Sequence, residues 1–222
     1  MNVVDALKNR YSCRAFKSHV VQKAKVLNIL EAATNAPSWA NTQPWEIYVA
    51  SGEILDRIRQ AYLTNHEKKT PSKPDLPHPQ NWPPDLQKRK EQTGAERLNQ
   101  MGVSCEGSDA RQALLLSNYS LFDAPVVIYL CMDRDLTSWS FFDLGSMAQS
   151  IMLAANHYGL DTIPAVNLTS YPEVIRAELG IPDKIAIAIG IALGHGDLDN
   201  PINKFRSSRR SLYEVAHFNG FD

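Results

Sequence analysis

Arg10 and Arg14 stand four residues apart in Arg10-Tyr11-Ser12-Cys13-Arg14, with the Ser12 hydroxyl between them. Two guanidinium forks and a hydroxyl at that spacing suit a phosphate together with the electron-rich edge of a ring. A second set of short polar side chains lies on a proline-stiffened stretch, Pro37-Ser38-Trp39-Ala40-Asn41-Thr42-Gln43-Pro44-Trp45. Ser38, Asn41 and Gln43 there can hydrogen-bond the rim of a flat ligand. The third set is the basic run Lys204-Phe205-Arg206-Ser207-Ser208-Arg209-Arg210-Ser211-Leu212, either a solvated tail or a segment that closes over an anion. Each set has a bland reading too: a solvated basic turn for the first, an ordinary helix-to-strand turn for the second.

Other chemistries lack their signatures. There is no G-x-G-x-x-G after a strand, no phosphate-binding P-loop, no G-x-S-x-G elbow and no H-E-x-x-H. The glycines of Gly190-Ile191-Ala192-Leu193-Gly194-His195-Gly196 have the wrong spacing for phosphate binding. Six histidines are scattered without metal-ligand spacing. Cys13, Cys105 and Cys131 form no C-x-x-C pair, so they suggest neither a disulfide framework nor a zinc site and suit a reducing cytoplasm. An enzyme with this inventory leaves the hard chemistry to a bound organic cofactor. A net charge of −1 argues against a dedicated nucleic-acid binder. No apolar run approaches the ~20 residues of a membrane helix, and the first residues lack the pattern of a signal peptide.

The elements that must position these residues follow from periodicity. Val3, Val4 and Leu7 mark a short helix ending at Arg10, followed by a polar turn. Val26, Leu27, Ile29, Leu30 and Ala33 give a helix near 22–35 that Pro37 stops. A strand at Trp45 to Val49 precedes a helix with Ile54, Leu55, Ile58, Ala61 and Tyr62 inward. The stretch from about 64 to 108 is proline-rich and then charge-rich, and reads as a surface lid, with a mobile linker as its alternative. A helix from Arg111 to Ser120, a buried strand from Pro125 to Cys131 and a helix near 141–158 capped by Gly159 come next. That last helix has few charges after Asp143, which points to cover on more than one side, as in a subunit interface. Leu160 to Val166 reads as a strand. Thr169 or Ser170 with Pro172 opens a short helix that Gly180 closes, and Ile185 to Leu193 is a central strand. Strands mixed irregularly with more numerous helices give a three-layer α+β fold.

Taken together, the three polar sets resemble the nitroreductase family of FMN enzymes. That family's pattern runs R-x-S-x-R, then P-S-x-x-N-x-Q-P-W, then a basic R-R-P-L-like segment. The first two stand here nearly letter for letter, and the third has Ser211 in place of proline. The run Gly159-Leu160-Asp161-Thr162-Ile163-Pro164 also looks like the family's segment beneath the flavin. Trp82-Pro83-Pro84 and the basic helix ending near Met101-Gly102-Val103 are similar to the nitrobenzoate-reductase-like subgroup.

The resemblance implies a single FMN-binding domain over 1–222 with a lid insertion at about 64–108. It implies a central mixed sheet flanked by helices and a domain-intertwined homodimer with two interface FMN sites. Arg10, Ser12 and Arg209, with Arg206 beside them, would hold the phosphate end, and Arg14 would lie near N1 and the C2 carbonyl. Pro37, Ser38 and Asn41 would reach the other subunit's flavin, and Gln43 is counted with them among the cofactor-binding residues. Pro164, Ala165, Val166 and Asn167 would pass along the isoalloxazine. NADH or NADPH would then reduce FMN, and a nitroaromatic or quinone-like acceptor would reoxidise it in a ping-pong cycle with no catalytic side chain. On this reading the lid lies outside all FMN contacts and governs acceptor choice. The rivals are a flavin-binding sensor or storage protein without turnover, a cobalamin-precursor branch that destroys its own flavin, and a reductive dehalogenase. The last is associated with a tyrosine in the lid, and 64–108 contains none.

Overall fold

The computed structural model describes residues 2–102 and 108–221, the side chains of 108–111 excepted. Val103 and Cys105 lie outside the described residues. The chain runs α1 (Val3–Asn9), α2 (Lys23–Ala33), β1 (Glu46–Ser51), α3 (Gly52–Glu67), α4 (Pro84–Gln100), α5 (Ser108–Tyr119), β2 (Val126–Asp133), α6 (Ser138–His157), β3 (Asp161–Ala165), α7 (Pro172–Leu179), β4 (Ile185–Gly194) and α8 (Pro201–Lys204). Among the described residues no helix is long and apolar enough to cross a membrane.

The four strands stand in the order β1-β2-β4-β3. Interior position explains why β2 and β4 are apolar almost throughout. Strand alternation then sorts β2 between two cores. Val127, Tyr129 and Cys131 pack with Leu55, Ile58 and Tyr62 of α3 and Ile175 of α7. Val126, Ile128, Leu130 and Met132 pack with Val26 and Ile29 of α2 and with Leu144, Met147 and Ile151 of α6. The result is three layers, helices on both faces of one sheet. The mixed sheet expected from the family resemblance is corrected: all three strand pairings are antiparallel. Among the described residues, the parallel contact is the isolated bridge between Ser12 and Thr162. A helix between strands suggests a parallel crossover, but the turn after β3 and α7 leave and re-enter the sheet at the same end.

Two local features shape the sheet where the site forms. Leu130 pairs with Ile189 and Cys131 with Ile187, so Ala188 is a bulge that changes which face successive β4 side chains take. Ile187 therefore faces the α3 core, and Ile191 and Leu193 face the α6 core. Gly190 lies against the 3-10 turn Val166–Thr169, where a Cβ would sit 2.5 Å from the Leu168 Cβ. Only glycine lets that turn rest directly on β4. The cap expected at Thr169 or Ser170 for α7 is instead Tyr171, which makes no side-chain capping bond. Gly180 does close α7, in the left-handed region.

The proline-rich stretch before α4 is fastened to the core. Lys73 N–H and Ser72 Oγ both donate to Ser170 O, at 3.1 and 3.2 Å. The largely buried Asp75 carboxylate accepts from Arg134 Nη2 at 2.7 Å, from Arg176 Nη2 and from Ile187 N–H at 2.8 Å. Charge-assisted bonds from two arginines to one carboxylate fix the course of this segment across the sheet.

Candidate functional site

The stretch from Arg10 to Arg14 is extended rather than the polar turn expected from sequence. Cys13 N–H donates to Thr162 O at 3.0 Å, laying the stretch along the edge of β3. Extended backbone alternates its side chains, so Tyr11 and Cys13 are buried. Arg10, Ser12 and Arg14 open on a cavity of about 460 Å³. The R-x-S-x-R spacing is thus a strand period of two, which puts three polar groups on one side.

The C-terminal basic run is brought to the same cavity by a residue that the sequence reading missed. Asn203 is buried, and its Oδ1 accepts from Arg14 N–H at 2.7 Å. Its Nδ2 donates to Ala15 O at 2.7 Å and to Asp197 O at 2.9 Å. The available signal was Asn200-Pro201, a cap and first-turn proline that start α8; Asn200 Oδ1 accepts from Ile202 N–H at 3.2 Å. Beyond Asn203, Arg206 lies over the Tyr11 ring at 3.8 Å. Arg206 and Arg209 both line the Arg10 cavity. Arg210 turns away to pair with Glu214 at 3.2 Å.

Arg14 also lines a second cavity, of about 420 Å³, and so joins the two. Its walls are Pro164, Ala165, Val166 and Asn167, with Phe122, Ile163 and Ile189 behind them. Asn167 Nδ2 donates to Asn118 Oδ1 at 3.1 Å, tying the turn to α5. Helix α4 is a wall of both cavities: Thr93 borders the first and Arg97 the second. This corrects the expectation that the 64–108 segment stays clear of the proposed cofactor contacts. Thr93 and Arg97 share a helix face at four-residue spacing, a signal hidden among the many exposed charges of α4.

The electrostatics are one-sided. Among the described residues no carboxylate lines either cavity. Burial lowers the pKa of Arg10, and Arg209 lowers it further. Burial pulls Arg14 down to about 10, with Arg97 the next contribution. Half-buried cations set against each other are unfavourable unless an anion lies between them. Cys13, also buried, is pushed up to about 12, so its thiol stays neutral and unreactive. The joined cavities therefore suit a ligand with an anionic end and a flat part with an electron-rich edge.

The Pro37 to Trp45 stretch sits elsewhere. None of Pro37, Ser38, Asn41 and Gln43 lines either of those cavities. Ala40, Asn41 and Gln43 hold positive φ of 49°, 57° and 48°, a costly conformation for residues with a Cβ. Gln43 N–H donates to Ser38 Oγ at 3.0 Å, and Trp39 N–H to the buried Asp143 carboxylate at 3.2 Å. The loop is thereby held stiff against the start of α6, around a separate cavity of about 750 Å³. Close by, Trp39, Trp139 and Phe142 are exposed, and the apolar Val3, Val4 and Leu7 of α1 are exposed as well.

The nitroreductase family model matches residues 7–195. A nitrobenzene nitroreductase from Ectopseudomonas oleovorans is 34% identical over 218 residues, covering 96% of this chain and 95% of that protein. A 4-nitrobenzoate reductase from Pseudomonas putida is 31% identical over 217 residues, covering 96% and 94%. The crystal structure of the FMN and NADPH-dependent nitroreductase NfnB from sphigopyxis sp. strain HMH superposes with a TM-score of 0.94 at 30% identity, covering 100% of both chains. Agreement over this length exceeds what a shared motif could produce, and the chain belongs to the nitroreductase family.

Proposed function

We propose that the chain is an FMN-dependent oxidoreductase that uses NADH or NADPH to reduce nitroaromatic or quinone-like acceptors, as a cytoplasmic homodimer. The two cavities that share Arg14 carry this reading: Arg10, Arg206 and Arg209 at one end, Arg14 and Arg97 against a partly apolar wall at the other, and no carboxylate among their described linings. That donor set fits FMN, whose phosphate needs cations and whose ring needs a flat slot with positive charge at one edge. The names of the relatives describe the same class of reaction. Bound there, FMN would supply the redox chemistry between NAD(P)H and the acceptor, which no side chain of the cavities provides.

The chain's own residues bind and orient. Arg10, Ser12, Arg206 and Arg209 hold the phosphate end, and Arg14 meets the polar edge of the ring. Pro164, Ala165, Val166 and Asn167 form the wall along its flat part. No catalytic side chain is assigned, because the redox step would be the flavin's own; Tyr11 and Cys13, beside the strip, are buried. Pro37, Ser38, Asn41 and Gln43 serve the other subunit's site. In support, their loop is held by hydrogen bonds yet stands apart from this chain's two Arg14 cavities, amid exposed apolar side chains of the kind that mark an interface. The single domain spanning 1–222, with the 64–108 segment as its lid, belongs to the same proposal. A sensor without turnover and a dehalogenase are not favoured.

Purified protein should be yellow, with about one FMN per chain and the mass of a dimer. Asn41→Ala should weaken FMN binding although Asn41 borders neither Arg14 cavity of its own chain. A monomer whose FMN affinity ignores that substitution would contradict the shared site.

A further inference from the structure

A groove of about 450 Å³ runs outward between α4 and α5. Its sides are the apolar Ala95, Leu98 and Leu115. Arg97, Leu114 and Asn118 border both this groove and the second Arg14 cavity, so they form a neck between the two. The Arg97 Nε at that neck is buried and has no hydrogen-bond partner. Asn118 is already engaged, accepting from Asn167 and donating to Leu114 O at 2.6 Å. That leaves Arg97 as the polar group at the neck with unmet capacity. Leaving a charged donor buried and unsatisfied is costly, and a carboxylate is its strongest complement. The groove's own carboxylate, Glu91, accepts from Gln87 Nε2 at 2.6 Å. It lies six positions away along α4, roughly 9 Å at 1.5 Å per residue.

We propose that the neck is an acceptor subsite in which Arg97 binds the carboxylate of an aromatic acid while Leu114 and the groove wall take its ring. This rests on the reading of the adjoining cavity as the flavin slot. The position of Arg97 separates it from the cofactor ligands: Arg14 joins the two inner cavities, whereas Arg97 stands between the inner cavity and the way in from outside. An acceptor carrying a negative charge is thereby preferred over its neutral counterpart, and held with its uncharged end inward.

The experiment uses FMN-loaded wild type, Arg97→Gln and Arg97→Lys. Benzoate, which is not reduced, is titrated by calorimetry, and kcat/KM is measured for 4-nitrobenzoate and nitrobenzene. Losing a charge-assisted bond should weaken benzoate binding in Arg97→Gln by on the order of 10- to 100-fold. The ratio of kcat/KM for 4-nitrobenzoate over nitrobenzene should fall by a similar factor, with Arg97→Lys recovering part of both. The proposal is overturned if wild type does not bind benzoate, or if Arg97→Gln binds it as well as wild type. It is also overturned if both acceptors suffer equally while the flavin midpoint potential moves, because Arg97 would then belong to the cofactor. Wild type that binds benzoate but reduces neither acceptor would refute the enzymatic reading and leave the anion site standing.

Discussion

Replacing Arg14 with alanine should lower the two-electron midpoint potential of bound FMN by on the order of 30–60 mV. The Arg14 backbone is fixed by Asn203, and Nη1 is committed to Ser12 O at 3.0 Å. Arg14 borders the second cavity, where burial and Arg97 both press on its charge. A cation so placed gains most when the ring edge beside it becomes more negative, as happens on reduction. A charge-assisted hydrogen bond is worth about 1.5–3 kcal/mol, and for a two-electron couple 30 mV corresponds to about 1.4 kcal/mol. Equilibration with a reference dye decides the matter. Equal potentials in wild type and variant, with FMN merely bound less tightly, would make Arg14 a phosphate ligand like its neighbours.

The larger loss of affinity belongs to the other end. Arg10 and Arg209 face the same cavity closely enough for Arg209 to depress the Arg10 pKa, an arrangement that a doubly charged phosphate between them would relieve. Each alanine substitution should weaken FMN binding by roughly 10- to 100-fold, from the same bond energies. The double variant should lose more than either single one. Because the phosphate does not change on reduction, the potential should stay near that of wild type in all three. Fluorescence titration of the apoprotein measures the affinities. A double variant no weaker than Arg10→Ala would show Arg209 to be part of a solvated tail, the bland reading of that run.

Much of this site was legible as sequence because its parts obey short-range rules. Arg10, Ser12 and Arg14 keep the period of an extended strip, although the strip itself reads as a turn until its pairing with Thr162 is known. The apolar runs of β2 and β4 announce buried strands, but antiparallel pairing depends on where the α7 connection returns, which periodicity does not encode. Arg97 and Thr93 could not be singled out on an exposed, charge-rich helix, since only the packing of α4 gives that face a cavity to border. Asn203 looked like any polar tail residue, and its three hydrogen bonds span up to 189 positions of sequence. Gly190, dismissed for the wrong phosphate-loop spacing, has instead a steric task against Leu168. Short-range pattern picked out Arg10, Ser12 and Arg14, which line the cavities, while the residues that position them are set by long-range contacts.

Anaerobic titration of the purified protein with NADPH, and separately with NADH, tests the central claim most directly. At least one of the two should bleach the flavin's visible absorption at about one equivalent per chain. Adding nitrobenzene or a quinone after the nicotinamide is spent should restore it, and steady-state plots should show the parallel lines of a ping-pong cycle. Bound FMN that neither nicotinamide bleaches would contradict the account and leave a flavin-binding protein without turnover.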